Sequence, residues 1–519
     1  MTGGGLFILV AYGSQNVILS GNPQMTYFYK VFRRYSHFSM ENVIQQMDGP
    51  DELFFDQNIQ VRSKIQRIGD LMSDMYFTFR LPDIYSKYTT TRQGVPKYQY
   101  EFAWTRYIGA ALINNVAFFI GGQKIQEFDG TYLLSKALVD YPTEKYNKWR
   151  TLVGDVPELS DPGNGVYAGG STQTGYPTVI KDSARDTGAQ INRPSIFGQL
   201  IHVPLPFWFA ENEGSSLPLV GLQYHDCEVQ IKLNSINQLY TVLDASGYRV
   251  RPGVQTLAPQ VAINSNNPEY ATVNDLSGEL RSFLTDIGSF TPALNTWSLQ
   301  PSIQCTYVYL PEEERSVFAS TPLSYLVHQV TPYNFPTLFN RQLLDIEVHN
   351  PIERLLYVTR RSDTLQYRNG FENFTNWFNY PDAPYLPPGG ATPLTAAAYS
   401  SGTLLPNAQL GILQSLRILC DGNEIQEEKP VDFFTKITPF RYTSGNANTN
   451  IPVYTFSLTS PGTQPAGSIN ASRIRVFQTE VNPFALPTGT NYVYDLTIYV
   501  ENINFLEITG GMGGLKYAL

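Results

Sequence analysis

Two short stretches decide the reading of this chain: FIGGQKIQE, Phe119–Glu127, and LCDGNEIQE, Leu419–Glu427. Each runs from apolar residues through a glycine-bearing dipeptide into Ile-Gln-Glu, and Gly122 and Gly422 lie 300 residues apart. Gly121-Gly122 and Asp421-Gly422 are pairs that accept positive φ at both central positions, which is what a two-residue β-hairpin turn demands. Hairpin geometry alone accounts for one such stretch. The question is why a single chain carries it twice.

The neighbouring sequence repeats as well. Before the first hairpin stands IQRIGDLMSDMYFTFRLPD, and before the second DIEVHNPIERLLYVTRRSD; each holds a strand-like run, a turn, and a strand ending in Arg close to Asp. After the first hairpin come HVPLPFWF, CEVQIKL and CTYVYL, and after the second PVYTFSL, SRIRVFQ and LTIYV. Short apolar runs resemble one another, so any one pairing is weak. Five in the same order point to an internal duplication. Period-two alternation, as at Ile59, Val61, Ser63 and Ile65 against Gln60, Arg62 and Lys64, marks strands with one buried face. Each copy offers about eight strands, and antiparallel strands at this density pack as two facing sheets, in a sandwich or jelly roll.

The expected organisation is an N-terminal arm over 1–25 and a first β domain over 26–310, with insertions at about 154–195 and 236–297. A linker helix over 311–320 follows, then a second β domain over 321–508 and a glycine-rich tail over 509–519. A further long loop covers 380–410. Helices are few: GTYLLSKALVDYP (130–142), stopped by Pro142, and PEEERSVFAS (311–320), whose proline suits the first helical position and whose glutamates suit the positive end of the helix dipole.

Composition agrees with an all-β chain. Of 519 residues 42% are hydrophobic, with 34 Tyr and 30 Phe, while only 16% are charged, below the usual quarter. So sparse a charge fits a surface largely hidden against partners. The net charge of −9 argues against a broad phosphate-binding face, so no direct nucleic-acid binding is expected; the basic run Lys30–Arg34 reads as a solvated edge. Three cysteines, Cys227, Cys305 and Cys420, form no disulfide framework and fit a reducing compartment. The first residues, MTGGGLFILVAYG, lack a basic region and read as neither signal peptide nor anchor.

Chemistry is sparse. Histidine occurs only at 37, 202, 225, 328 and 349. His225 and Cys227 in YHDCE would share one strand face and make half a metal site, but no second half with ligand spacing accompanies them, and a buried strand fits them too. Glu312, Glu313 and Glu314 fan around a helix rather than converge. No phosphate-binding loop, nucleophile elbow, HExxH or CxxC occurs, and GGMGGLK (510–516) reads as tight backbone packing. The sequons at Asn373 and Asn470 matter only if the chain meets a glycosylation machinery. No catalytic, cofactor-binding or metal residue is therefore assigned. Two other readings share the fold class: a tandem β-sandwich that binds or cleaves carbohydrate, and a cupin-like metal enzyme, for which five scattered histidines are poor material.

Several longer stretches resemble one family. They are residues 4–38, RIGDLMSDMYFTFRLP (67–82), NNVAFFIGGQKIQ (114–126), VPLPFWFAENEGSSLPLVGLQYHDCEVQI (203–231), YVYLPEEERSVFA (307–319), PAGSINASRI (465–474) and INFLEITGGMGGLKYA (503–518). Together they are similar to the double jelly-roll major capsid proteins of nucleocytoplasmic large DNA viruses. Gln426 stands where that family usually has an acidic residue, and Ala471 where it often has an aromatic one. The resemblance implies two tandem eight-stranded antiparallel jelly rolls and a homotrimer of near-hexagonal outline. It further implies contacts with neighbouring capsomers and with minor capsid and penton proteins, an inner face near an internal membrane, and assembly in the host cytoplasm. No enzymatic activity is implied.

Overall fold

The computed structural model describes residues 4, 7, 13–86, 102–162, 194–243, 249–252, 279–285, 294–362, 364–365, 369–376, 411–445, 450–459, 464–486 and 492–517. The greater part of the long insertions and the loop at 380–410 lie outside these residues.

Eight strands form the two main sheets of the first half: β1 Ser39–Gln46, β2 Ile59–Lys64, β3 Leu71–Arg80, β4 Ile113–Ile120, β5 Gln123–Phe128, β6 Leu200–Pro204, β7 Cys227–Leu233 and β8 Ser302–Tyr309, with short strands beside them. Helices α1 (Gly130–Asp140) and α2 (Thr143–Leu152) follow β5, and α3 (Glu312–Ser320) leads into the second half. That half has β9 Leu323–Leu338, β10 Gln342–Ile346, β11 Pro351–Arg361, β12 Leu413–Cys420, β13 Asn423–Pro430, β14 Val453–Thr455, β15 Phe477–Pro483 and β16 Tyr494–Thr509. β17, Met512–Leu515, closes the chain.

The sheets repeat strand for strand. In the first half the orders are β1-β8-β3-β6 and β2-β7-β4-β5; in the second they are β9-β16-β11-β14 and β10-β15-β12-β13. Each strand from β9 to β16 takes the position of the strand eight labels earlier. The chain is all-β, two tandem eight-stranded antiparallel jelly rolls. All five sequence pairings fall on equivalent elements, and the two opening stretches are the β4–β5 and β12–β13 hairpins at one edge of the second sheet of each half.

The turn chemistry is as expected. Gly121 and Gly122 have φ +57° and +81°, and Asp421 and Gly422 have +48° and +80°, so both turns use positive φ twice. Each first turn residue donates its backbone N–H to the strand beyond, Gly121 to the Asp226 carbonyl and Asp421 to the Val476 carbonyl, both at 2.9 Å. The halves differ in what lies above the turn. A Cβ at position 121 would sit 2.5 Å from the His225 ring, whereas Asp421 uses its carboxylate to accept the N–H groups of Arg475 and Val476.

Burial follows the alternation. β2 and β7 bury every second residue, and each fully buried Val, Leu or Ile contributes roughly 1.5–3 kcal/mol. β3 and β11, central in their sheets, are buried on almost their whole length because both faces are covered. Leu355, Tyr357, Ile498 and Val500 face the second half's own core, while Leu356, Val358, Tyr499 and Val330 join the core of the first half. Pro332 is tolerated in β9 because that strand lies at a sheet edge.

Some expectations need correcting. The arm does not end at residue 25: Thr26–Phe38 carries no strand, because TYFYKVFRRYSHF strings aromatic and basic residues without alternation, and the first sheet strand starts at Ser39. Taken by itself, the arm has a short helix, Asn16–Ser20, and exposes Tyr27, Phe28 and Phe32. Pro311 is the residue before α3 rather than its first residue. The tail at 509–519 contains a strand, β17, hydrogen-bonded to β16. Helix α2 and the helical run Phe433–Ile437 and Thr438–Tyr442 are additions to the helices expected.

Candidate functional site

The densest polar chemistry lies in the seam between the two halves. It begins at Asp129, the N-cap of α1, whose carboxylate accepts the Tyr132 N–H at 2.6 Å. The same carboxylate accepts the Tyr499 hydroxyl of β16, at 2.9 and 2.8 Å on its two oxygens. The start of a first-half helix is thereby fixed to the second half.

One helix length further on, Asp140 meets Arg354 of β11, which is wholly buried. The guanidinium donates through Nη1 to Asp140 Oδ1 at 2.5 Å and through Nη2 to Asp140 Oδ2 at 2.9 Å. It also donates through Nε and Nη2 to Glu501 of β16, at 2.8 and 2.6 Å. Tyr132 donates its hydroxyl to Glu501 Oε1 at 2.7 Å. A planar fork satisfied on both sides is the arrangement in which a buried arginine is tolerated. Burial works against the Glu501 carboxylate, but Arg354, Lys136 and the Tyr132 hydroxyl outweigh it and hold its pKa below the ordinary value. Lys136 of α1 pairs in turn with Glu211. Beside them His328 Nδ1 stands 3.0 Å from buried Glu353 Oε2; burial opposes the imidazolium, and Glu353 more than offsets it, so the His328 pKa is raised.

A second cluster holds the other end of α1. Arg360 of β11 donates to Thr131 Oγ1 at 3.1 Å and to the Phe371 carbonyl at 2.5 Å, with its guanidinium over Phe374 at 4.8 Å. Near it Glu372 keeps Oε2 buried with no hydrogen-bond partner among the described residues, and burial lifts its carboxyl to about 7 despite Arg106. Arg106 and Arg150 share Asp155.

Backbone contacts complete the seam. Gln329 of β9 donates to the Ile125 carbonyl of β5 at 2.7 Å, and Leu515 of β17 donates to Gln123 Oε1 at 3.2 Å. Asn369 donates to the carbonyls of Asn237 and Tyr240 at 2.8 and 2.7 Å. A Cβ at Gly513 would lie 2.7 Å from Leu222 Cδ2, so a larger residue there would require the Leu222 side chain to shift.

The residues singled out in the sequence fall at different places in the fold. His225 Nδ1 lies 2.9 Å from the Gly513 carbonyl, while Cys227 points into the core, where burial pushes its thiol up to about 12. Among the described residues no group of three His, Cys, Asp or Glu side chains is placed to hold a metal. Glu312, Glu313 and Glu314 form the exposed first turn of α3. Asn373 is buried, its Oδ1 accepting the Thr375 hydroxyl at 2.7 Å, so the first sequon is closed; Asn470 is exposed. The seam charges were not singled out in the sequence. Their signal was Glu353-Arg354 inside the otherwise apolar run IERLLYV.

A cavity of about 540 Å³ opens at the seam, with Asp74, Tyr76, Lys145, Trp149, Glu211 and His328 among its lining. Of its carboxylates, Asp140 is bound by Arg354 and Glu211 by Lys136. What the whole arrangement does chemically is hold two domains in one fixed relation.

Comparison with known proteins gives the context. Residues 26–271 match the model for the major capsid protein N-terminus, and residues 314–514 match that for the large eukaryotic DNA virus major capsid protein. The chain is 26% identical to the major capsid protein of Paramecium bursaria Chlorella virus 1 over 541 residues, covering 99% of each. It is 25% identical to that of Phaeocystis pouchetii virus over 557 residues, again covering 99% of each. Among solved structures, VP54 of PBCV-1 superposes with a TM-score of 0.64 at 21% identity, over 95% of this chain and all of that one. With its two jelly rolls in register and both family models matched in tandem, the chain belongs to the major capsid proteins of large eukaryotic DNA viruses.

Proposed function

We propose that three copies of this chain associate into a capsomer of near-hexagonal outline, and that such capsomers tile the shell of a large double-stranded DNA virus. The observation that carries this reading is the identity of sheet order in the two halves together with the buried seam that fixes them. Three chains with two equivalent domains each present six similar units about a three-fold axis, and a six-cornered block tiles a gently curved surface. Duplication within one chain leaves the two copies free to differ, as they do at Gly121 and Asp421.

The role is structural rather than enzymatic. Capsomers meet their neighbours and minor capsid and penton proteins. The inner face of the shell lies towards an internal membrane. Assembly takes place in the host cytoplasm. The net charge of −9 supports a shell that does not bind nucleic acid directly.

Native mass spectrometry tests the reading. A trimer of 58.3 kDa chains has a mass of 174.9 kDa and gives hexagonal outlines by electron microscopy. A stable monomer that turns over or binds a glycan would replace this reading with the carbohydrate-directed one.

A further inference from the structure

The two halves can be aligned residue by residue at an irregularity they share. Along β8 and β3 the register runs Thr306 to Asp74 and then jumps to Tyr307 with Met72, passing over Ser73. Along β16 and β11 it runs Glu501 to Arg354 and then jumps to Asn502 with Ile352, passing over Glu353. The same break in the same strands makes Asp74 the counterpart of Arg354, Tyr76 of Leu356, and Thr306 of Glu501.

In the second half, the sheet face bearing Arg354, Leu356 and Glu501 is covered by the first half: α1, which follows the β4–β5 hairpin, lies on it, and β5 touches β9 at its rim. In the first half, the equivalent face is only partly covered, and Asp74 and Tyr76 on it are half-buried. Asp74 and Tyr76 line the 540 Å³ cavity, and β1, the counterpart of β9, exposes Met40 at 63% and Ile44 at 64%. Burial and nearby Glu213 raise the Asp74 pKa, as befits a carboxylate short of a cation.

The segment that would cover such a face is exposed on the second half. β13 is the counterpart of β5, yet Ile425 is 38% exposed where Ile125 is fully buried. The helical run after β13, Phe433–Tyr442, stands where α1 stands in the first half, and it presents Ile437 at 56% and Phe440 at 91% exposure, with Arg441 exposed beside them. Each half thus has one sheet face and one hairpin-and-helix edge. The chain joins one such pair internally and leaves the other face on its first half and the other edge on its second. A contact of this head-to-tail kind closes into a ring when its rotation allows.

We propose that Phe433–Tyr442 of one copy seats in the cavity beside Asp74 and Tyr76 of a second copy, with β13 along β1, repeating between chains the contact that α1 and β5 make within one. Arg441 then pairs with Asp74, the charges of Asp140 and Arg354 interchanged between helix and sheet. The buried anchor is Phe440, an aromatic side chain entering a partly apolar pocket at the centre of the contact.

This inference rests on the capsomer reading, and its test separates the two. In a full-length Cys420→Ser background, Tyr76→Cys with Phe440→Cys should give covalent dimers and trimers on non-reducing gels after mild oxidation. Phe440→Asp, at an exposed position, should lower the trimer fraction at least tenfold with an unchanged unfolding midpoint. Asp74→Arg should weaken the trimer, and adding Arg441→Asp should restore it. If the unsubstituted protein assembles to 174.9 kDa while the double-cysteine variant stays uncrosslinked and Phe440→Asp remains trimeric, this contact is overturned and the capsomer stands. A monomeric unsubstituted chain would overturn both.

Discussion

Arg354 of the second half grips Asp140 of the first through two nitrogens, at 2.5 and 2.9 Å, with neither side chain reaching solvent. A pair like this contributes little net stability when intact, but removal of one member leaves the other charge buried and unmatched. Arg354→Met should therefore destabilise the protein by about 3–5 kcal/mol, since Asp140 and Glu501 both lose their cation. Arg341→Ala is the control: that arginine bridges Glu428 and Glu480 on an exposed surface, and its loss should remain within about 1 kcal/mol. Urea unfolding of both variants gives the comparison, and equal effects would refute the assignment of the seam as the main joint.

The imidazole of His328 adds a pH dependence to that joint. Its folded pKa is raised above the unfolded value near 6.5, because Glu353 at 3.0 Å outweighs burial. The stabilisation is thus complete below about pH 6.5 and fades as pH rises through the folded pKa. His328→Gln should lose stability at pH 5.5 relative to the parent and converge with it at pH 9. Melting temperatures across that range would show the two curves meeting, and parallel curves would exclude His328 as their cause.

The two hairpins were legible because Gly-Gly and Asp-Gly are pairs favoured where a tight turn needs positive φ twice, and the strands because alternation survives any loop length. Charge misled. A sequence places Arg and Glu in solvent by default, and nothing in IERLLYV states that Arg354 will face another domain. Helix α2 was missed for a related reason: Trp149 is its one buried residue, so TEKYNKWRTL carries no apolar stripe. The seam is tertiary in origin. Its partners lie 214 and 147 residues apart, at separations over which no local pattern extends.

The difference between the hairpins is testable. Gly121→Asp would make the first turn read like the second, yet its Cβ would fall 2.5 Å from the His225 ring. A loss of about 1–3 kcal/mol is expected from that overpacking. The reverse change, Asp421→Gly, deletes acceptors for the Arg475 and Val476 N–H groups, which are exposed, and should remove only about 0.5–1.5 kcal/mol. Thermal unfolding should rank Gly121→Asp as clearly the worse.

Thiol chemistry should report the core directly. Burial pushes Cys227 and Cys305 to about 12 and the half-buried Cys420 to about 11. In the native protein at pH 8, Cys420 should react first with a maleimide or a disulfide reagent, and the other two only on unfolding. Peptide mapping after graded labelling gives the order. Early modification of Cys305, in β8 at the middle of its sheet, would contradict the packing described.

Glu372 gives a pH effect of opposite origin to that of an ordinary salt-bridged carboxylate. Its Oε2 is buried with no partner among the described residues, and burial lifts the carboxyl to about 7 against the pull of Arg106. The folded state therefore holds its proton more tightly than the unfolded chain does. Below about pH 4.5 both states are protonated and the residue is neutral in its effect. As pH rises to about 7 and beyond, the unfolded chain ionises freely while the folded one resists, so stability falls by up to about 3 kcal/mol. Glu372→Gln keeps the shape and removes the titration. It should leave stability nearly unchanged at pH 4 and raise it at pH 8, because the amide never has to carry a buried charge. Since the residue lies beside Arg360 and Phe371 at the end of α1, the gain should appear in the unfolding of the joined halves as one transition. A variant less stable than the parent at pH 8 would mean that the ionised carboxylate is held by its neighbours after all.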